Sequence, residues 1–364
     1  MINVLLVAGA RPNFMKIAPI YREAMKHAGV DCTLVHTGQH YDYEMSQAFF
    51  EELEIPRPDF FLDAGSGSHA VQTAKIMIAF EEVCEKQKPD LVMVVGDVNS
   101  TLACSIVAKK LLIKLAHVEA GLRSFDLTMP EEINRMVTDS ITDCFFVTEQ
   151  SGIDNLVREG KPKDRIHFVG HVMIDNLFHQ LKNLENRHEP KAAAATLKAE
   201  SGAYIFLTLH RPSNVDLPDK LLEIAGALNE IAEEHRILFP IHPRTRQRLN
   251  QFRVILSPNI IQLPPLSFKE ALYLWKDALM VMTDSGGLQE ETTALRVPCI
   301  TLRENTERPI TIEMGTNMLG GTTKGSIWEA YQRAISRPKV NSVPPKWDGR
   351  ASERIWETLL KSSS

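Results

Sequence analysis

Three acidic residues stand where short apolar runs give way to polar chain. Asp97 follows Leu91–Val95, Glu119 follows Leu115–Val118, and Glu131 lies in Pro130-Glu-Glu-Ile-Asn-Arg135. Runs of this kind are expected to be buried parallel strands, and open α/β sheets carry their chemistry at the ends of such strands. Carboxylates gathered at one such edge suit proton transfer, because neighbouring negative charge and partial burial raise carboxyl pKa values towards neutrality. Each one alone reads equally well as a helix cap or a surface charge; three within one stretch favour function.

Positive and anion-binding candidates accompany them. Gly9-Ala-Arg11-Pro-Asn-Phe-Met-Lys16 follows the first strand and opens a helix. The free N–H groups of a helix start, with Arg11 and Lys16 adding charge, suit a phosphate; an ordinary strand–helix turn is the alternative. Thr283-Asp-Ser285-Gly286-Gly287-Leu-Gln-Glu-Glu291 follows another apolar run. Ser285 can cap a helix, Gly286 and Gly287 let a diphosphate approach backbone N–H groups, and Glu291 can accept from two ribose hydroxyls. His210, in Thr208-Leu-His-Arg-Pro212, and His242, in Pro240-Ile-His-Pro-Arg244, end two further runs. Both suit phosphate binding or protonation of a leaving group.

Other patterns carry less. Gly65-Ser-Gly67-Ser-His-Ala70 matches a dinucleotide fingerprint literally, yet it follows no clear strand and no ribose-binding acid follows it; it reads as a loop, and no nicotinamide cofactor is expected. His36 and His40 straddle a strand end, and no His-Glu-x-x-His or cysteine cluster completes a metal site, so no metal is expected.

The elements that must position these residues are legible in the periodicity. Strand-like runs at 2–8, 31–36, 90–95, 114–118, 143–147 and 165–169 alternate with helix-length stretches near 13–28, 70–87, 100–112, 131–141 and 149–159. After a polar connector at 181–200 the pattern restarts, with runs at 204–209, 237–241, 259–263, 278–283 and 297–302, and a short amphipathic helix at 351–360 closes the chain. Such alternation predicts an α/β protein with two doubly wound, mostly parallel sheets, and a ligand-binding cleft between two Rossmann-like domains. The length of 364 residues agrees with two domains at about 150 residues each.

Composition narrows the class. Charged residues make up 24%, and the net charge of −5 with a pI near 6.2 argues against an electrostatic nucleic-acid partner. No apolar stretch approaches the roughly 20 residues that span a bilayer, so no membrane partner is expected. Five scattered cysteines without a Cys-x-x-Cys pair read as buried thiols, and a first strand too short for a signal peptide agrees with a cytoplasmic protein.

The motifs in order are Gly9-Ala-Arg-Pro12, Thr37-Gly-Gln-His40, Gly96-Asp97, His117-Val-Glu-Ala-Gly-Leu-Arg123, Pro130-Glu-Glu-Ile-Asn-Arg135, His210-Arg211, Asp284-Ser-Gly-Gly-Leu-Gln-Glu-Glu291 and Thr306-Glu-Arg-Pro309. This series resembles the non-hydrolysing UDP-N-acetylglucosamine 2-epimerases over nearly the whole chain. The resemblance implies a GT-B-like fold with domains at 1–172 and 173–349, the helix at 350–361 packing back on the first. It also implies a homodimer that uses no nicotinamide or metal and takes a UDP-sugar. The implied reaction interconverts UDP-GlcNAc and UDP-ManNAc for surface polysaccharide synthesis, by elimination of UDP to 2-acetamidoglucal and re-addition.

Carried over by position, Asp97, Glu119 and Glu131 are the acid/base residues, with the face of carbon 2 that each serves left open. The resemblance further implies His210 near the diphosphate, and Arg11, Lys16 and Arg135 as substrate-charge contacts. It places Ser285 and Gly286 in the diphosphate loop, Glu291 on the ribose and Arg308 on the leaving group. Phe268 falls by spacing near the uracil. Two departures stand out: Pro212-Ser213 where the family often reads Arg-Glu, and Ser68-His69 where many bacterial members carry an Arg-Gln pair tied to an activating second UDP-GlcNAc. Gln39, His40 and His242 still match parts of that regulatory neighbourhood. Alternatives are a 2-epimerase of a related UDP-diacetamido-uronic acid, a hydrolysing UDP-GlcNAc 2-epimerase, and a GT-B glycosyltransferase.

Overall fold

The computed structural model of the chain describes residues 1–9, 11–38, 50–51, 53–187, 192–336 and 342–361. The chain divides into two compact units, residues 1–176 with 345–364, and residues 177–344.

The first unit runs β1 (Ile2–Ala8), α1 (Arg11–Ala24), β2 (Val30–His36), β3 (Phe60–Phe61), α2 (His69–Gln87), β4 (Leu91–Val95), α3 (Asn99–Lys110), β5 (Lys114–Val118), α4 (Pro130–Ile141), β6 (Cys144–Val147), α5 (Gln150–Arg158) and β7 (Ile166–Phe168). The strands form one parallel sheet in the order β3-β2-β1-β4-β5-β6-β7. Its central strands β1 and β4 are almost wholly apolar, because both faces are covered. Val4, Leu6, Ala8, Met93 and Val95 pack towards α1, while Leu5, Val7, Val92 and Val94 pack with residues of α2 and α3.

The second unit follows the same plan. After α6 (Val172–Arg187), which crosses the boundary, and α7 (Ala192–Ser201) come β8 (Tyr204–Thr208), α8 (Pro212–Val215), α9 (Pro218–Glu234), β9 (Arg236–Pro240) and α10 (Pro243–Gln251). Then follow β10 (Ile260–Leu263), α11 (Phe268–Trp275), β11 (Met280–Thr283), α12 (Gly286–Ala294), β12 (Cys299–Thr301), α13 (Ile310–Glu313), β13 (Asn317–Leu319) and α14 (Lys324–Ser336). These strands are also parallel, ordered β10-β9-β8-β11-β12-β13. The last helix, α15 (Ala351–Lys361), returns to the first unit, where Trp356 is buried and its indole N–H donates to Ile20 O at 2.9 Å.

Both sheets are doubly wound, and each reverses direction between its first and fourth strands. The ends of β1 and β4, and those of β8 and β11, therefore flank a crevice of the kind that binds ligands in open α/β sheets. Two short edge strands, β3 and β13, lie outside the runs expected from sequence; at two and three residues they are too brief to show an alternating pattern. The polar stretch at 181–200 forms the end of α6 and most of α7. The fingerprint-like Gly65–Ala70 leads from edge strand β3 into α2, where Gly65 O accepts from Gln72 Nε2 at 2.9 Å and the His69 ring lies 3.1 Å from Asn99 Nδ2 at the start of α3. Among the described residues no helix is long and apolar enough to cross a membrane, and no group of three His, Cys, Asp or Glu is placed to hold a metal ion.

Candidate active site

In the first unit the site is built from the ends of β1, β4 and β5 and the start of α4. The chain leaves β4 through Gly96 at φ +71°, a conformation that favours glycine. A Cβ there would lie 3.3 Å from Asn13 Nδ2, 3.4 Å from Lys16 Nζ and 3.7 Å from Glu119 Oε2, so α1 and the β5 end converge on this turn. Glu119 itself adopts φ +70°, a left-handed conformation uncommon outside glycine and often found where function demands it. It is buried, and its Oε2 accepts from Lys16 Nζ at 2.5 Å. Asp97 Oδ2 accepts from Arg135 Nε and a terminal guanidinium nitrogen at 3.0 and 2.8 Å, and its backbone carbonyl accepts from Asn134 Nδ2 at 2.8 Å. Glu131 is exposed in the first turn of α4, four residues before Arg135 and so on the same helical face. Asp97 and Glu119 thus each face a cation.

Beneath them lies a charged cluster of His117, Arg123 and Asp139, of which His117 and Arg123 belong to a quoted motif without an assigned role. His117 has no exposed surface; its Nδ1 is 2.7 Å from Asp139 Oδ1 and its Nε2 is 2.8 Å from Gly96 O. A carbonyl cannot donate, so Nε2 carries a hydrogen. Burial alone pushes the His117 pKa down, but the Asp139 charge and hydrogen bond, with Gly96 O and Glu119, raise it above the usual value. Burial likewise raises Asp139, yet His117 and Arg123 hold it below the usual carboxylate range. His117 therefore ties the β4 end to α4 through Gly96 O and Asp139. Asp139 also accepts from Gly121 N at 3.0 Å and pairs with Arg123 at 2.8 Å, which fastens the loop that carries Glu119. Glu132, buried next to Glu131, accepts from Ser124 N, Phe125 N and Arg135. A histidine inside an apolar strand and the i,i+4 series Glu131, Arg135, Asp139 were the available signals.

In the second unit the β8 and β11 ends meet. Thr208 and Thr283, partners across those strands, share a 2.6 Å hydroxyl hydrogen bond. Asp284 is fully buried and accepts from His210 N at 2.9 Å, Arg211 N at 2.7 Å and Asn214 Nδ2 at 3.3 Å, with His210 Nδ1 at 2.9 Å. Burial raises its pKa, but the His210 hydrogen bond and charge, with the two backbone N–H groups, hold it below the usual range. The His210 side chain is 41% exposed, which leaves the far side of the ring reachable. His242 caps α10, and its ring centroid lies 6.1 Å from that of His210.

Ser285 occupies the N-cap position of α12, yet its hydroxyl makes no capping bond. Open space surrounds the point where a Cβ on Gly286 would sit. Glu291 is buried in the same helix; burial first, then the neighbouring Glu290, push its pKa up to about 8. Arg308 Nε lies 2.5 Å from Glu290 Oε1. Its loop is anchored by Thr306 Oγ1, which donates to Gln289 Oε1 at 2.6 Å.

The expected residues therefore gather into two clusters. Lys16, Asp97, Glu119, Glu131 and Arg135 border the β1–β4 reversal, and His210, His242, Ser285, Gly286, Glu291 and Arg308 border the β8–β11 reversal. Arg11 opens α1. Phe268 is half-buried at the start of α11, which follows edge strand β10, two strands from β8. Gln39 and His40 lie outside the described residues. A cavity of about 930 Å³ opens at the opposite end of the first sheet, lined by Ile2, Asp90, Lys114 and Asp143 among others, and none of these site residues borders it.

A sequence profile described as UDP-N-acetylglucosamine 2-epimerase matches residues 22–360. The chain belongs to the UDP-N-acetylglucosamine 2-epimerase family. It is 43% identical to the UDP-N-acetylglucosamine 2-epimerase of Methanocaldococcus jannaschii over 97% of this chain and 98% of that protein. A crystal structure of the M. jannaschii epimerase in complex with UDP-GlcNAc and UDP superposes with TM-score 0.83 at 41% identity, covering 99% of this chain and all of that one. The UDP-2,3-diacetamido-2,3-dideoxy-D-glucuronate 2-epimerase of Pseudomonas aeruginosa is 37% identical over 99% of both chains. Phytolacca americana UGT2, at 11% identity and TM-score 0.64, shares only the fold. Both departures from the usual family pattern have a place in this structure: Pro212 is the first residue of α8, and Ser68 caps α2.

Proposed function

We propose that this member of the epimerase family interconverts UDP-GlcNAc and UDP-ManNAc. The observation that carries the reading is the pair of cation-partnered carboxylates, Asp97 with Arg135 and Glu119 with Lys16, at the ligand-binding edge of a doubly wound sheet. An M. jannaschii relative bound to UDP-GlcNAc and UDP supports the substrate class.

Carbon 2 of the sugar has no adjacent carbonyl, so direct deprotonation there is very unfavourable. Breaking the bond from carbon 1 to the diphosphate builds positive charge at carbon 1 and acidifies the carbon 2 hydrogen. One carboxylate takes that proton while UDP leaves with the bonding pair, giving 2-acetamidoglucal. Protonation of carbon 2 on the opposite face and return of the diphosphate oxygen to carbon 1 complete the inversion. Asp97, Glu119 and Glu131 supply the acid and base. His210, Ser285, Gly286 and Arg308, with Arg11, receive the diphosphate; Glu291 takes the ribose and Phe268 the uracil. Gln39, His40 and His242 belong to a regulatory neighbourhood.

We place the enzyme in the cytoplasm, in keeping with its five free cysteines, supplying a precursor of surface polysaccharide. It acts as a homodimer; the exposed apolar side chains of Val71 and Ile78 on α2 and of Ile133, Met136 and Val137 on α4 support a self-association face. Incubation with UDP-GlcNAc in D2O, followed by NMR, should show deuterium at carbon 2 of both epimers. Retention of the original hydrogen would sink the proposal. The 37% identity to the P. aeruginosa diacetamido-glucuronate epimerase supports a second reading, and faster exchange on that sugar than on UDP-GlcNAc would select it.

A further inference from the structure

We infer that Asp284 is the positioning residue of His210, fixing its ring so that Nδ1 bears a hydrogen and Nε2 faces the ligand. The inference rests on the proposed role of His210 at the diphosphate. Asp284 ends β11 and His210 lies two residues past β8, so the two adjacent strands at the sheet reversal place them together. The carboxylate has no exposed surface, and its four close donors all come from the 210–214 segment: His210 N, Arg211 N, Asn214 Nδ2 and the His210 ring. An acceptor that receives the backbone N–H and the ring of the same residue sets both where that residue sits and which way its imidazole turns. With Nδ1 donating to Asp284, Nε2 is the only ring atom left for substrate. It accepts a hydrogen bond when the ring is neutral and donates one when the ring is charged. Asn214 holds the carboxylate from its other side and also donates to Leu302 O at 2.9 Å, locking the β11 end to the chain leaving β12.

An asparagine at 284 keeps an oxygen for the two backbone donors but turns an NH2 group towards the ring. The His210 tautomer then reverses, a change that disables comparable His–Asp pairs. Asp284→Asn should lower kcat by ~100-fold or more, with KM for UDP-GlcNAc changed less than ~3-fold. In a His210→Ala background the same substitution should cost under ~3-fold, because the group it orients is gone. An equal loss in both backgrounds would make Asp284 a structural residue only and overturn the inference.

Nitrogen-15 NMR of the histidine rings in the wild-type protein supplies a reading that needs no variant. A His210 signal protonated at Nδ1 is expected, and Nδ1 found unprotonated in the neutral ring overturns the assignment whether or not Asp284→Asn folds. Should wild-type protein fail to exchange the carbon 2 hydrogen, the proposed reaction falls, while the ring signal still decides the Asp284–His210 link.

Discussion

Glu119 combines three features that seldom coincide in one residue: burial, a left-handed backbone and a lysine at 2.5 Å. A carboxylate held this way can accept a proton from one fixed direction, with Lys16 compensating its charge until it does. Glu119→Gln and Asp97→Asn keep shape and remove basicity, so each should lower turnover ~100-fold or more, as removal of a general acid or base does. UDP binding, followed by calorimetry, should survive, and near-normal turnover in both variants would take them out of the mechanism. Glu291 offers a test in the ligand-free protein. With its folded pKa pushed up to about 8, the folded state keeps a proton that the unfolded chain gives up near pH 4.3. Its contribution therefore destabilises progressively as pH rises between those values. Glu291→Gln should melt higher than wild type at pH 8.5 and close to it at pH 4, and a difference independent of pH would refute the assignment.

At the scale of elements, the loop from Glu119 to Arg123 depends on two glycines packed back to back. Gly121 has φ +81°, and a Cβ on it would lie 2.3 Å from Gly152 O at the start of α5. Neither the backbone angle nor the α5 backbone can yield cheaply. Gly121→Ala should lower stability by about 2–4 kcal/mol, from strain and forced displacement together, readable as a shift in the urea midpoint. Because the loop hangs from Asp139, the same substitution should also disturb the His117–Asp139 pair. A wild-type midpoint would mean that the loop is not held as described. The strands and most helices were legible from apolar runs and turn residues, since a strand buried on both faces is largely apolar along its length. The edge strands β3 and β13 were not, being set by pairing with β2 and β12 rather than by local pattern.

For the molecule as a whole, the chain ends in the unit where it began. Trp356, Ile355 and Leu359 of α15 join the core formed by β1, β4 and α1. The carboxylate of Asp175 accepts from Ala351 N at 3.0 Å and Ser352 N at 2.6 Å, so the start of α15 is fastened by a residue of α6. Trp356→Ala removes a large buried side chain and should cost about 3–5 kcal/mol. Amide hydrogen exchange should accelerate in α1 and β1 while β8 and β11 keep their protection. Uniform acceleration across both units would contradict two separate cores.

Read alone, the sequence determined the class of fold, the family and most of the residues expected to do chemistry, because apolar periodicity and short motifs are local properties. Tertiary structure decided what those residues face. The cations beside Asp97 and Glu119 come from α4 and α1, the partner of His117 lies 22 residues away, and the anion beneath His210 lies 74 residues away. Partners so distant along the chain meet only when parallel strands are laid side by side. Charge compensation in a buried site follows from that juxtaposition and not from any neighbouring residue in the chain.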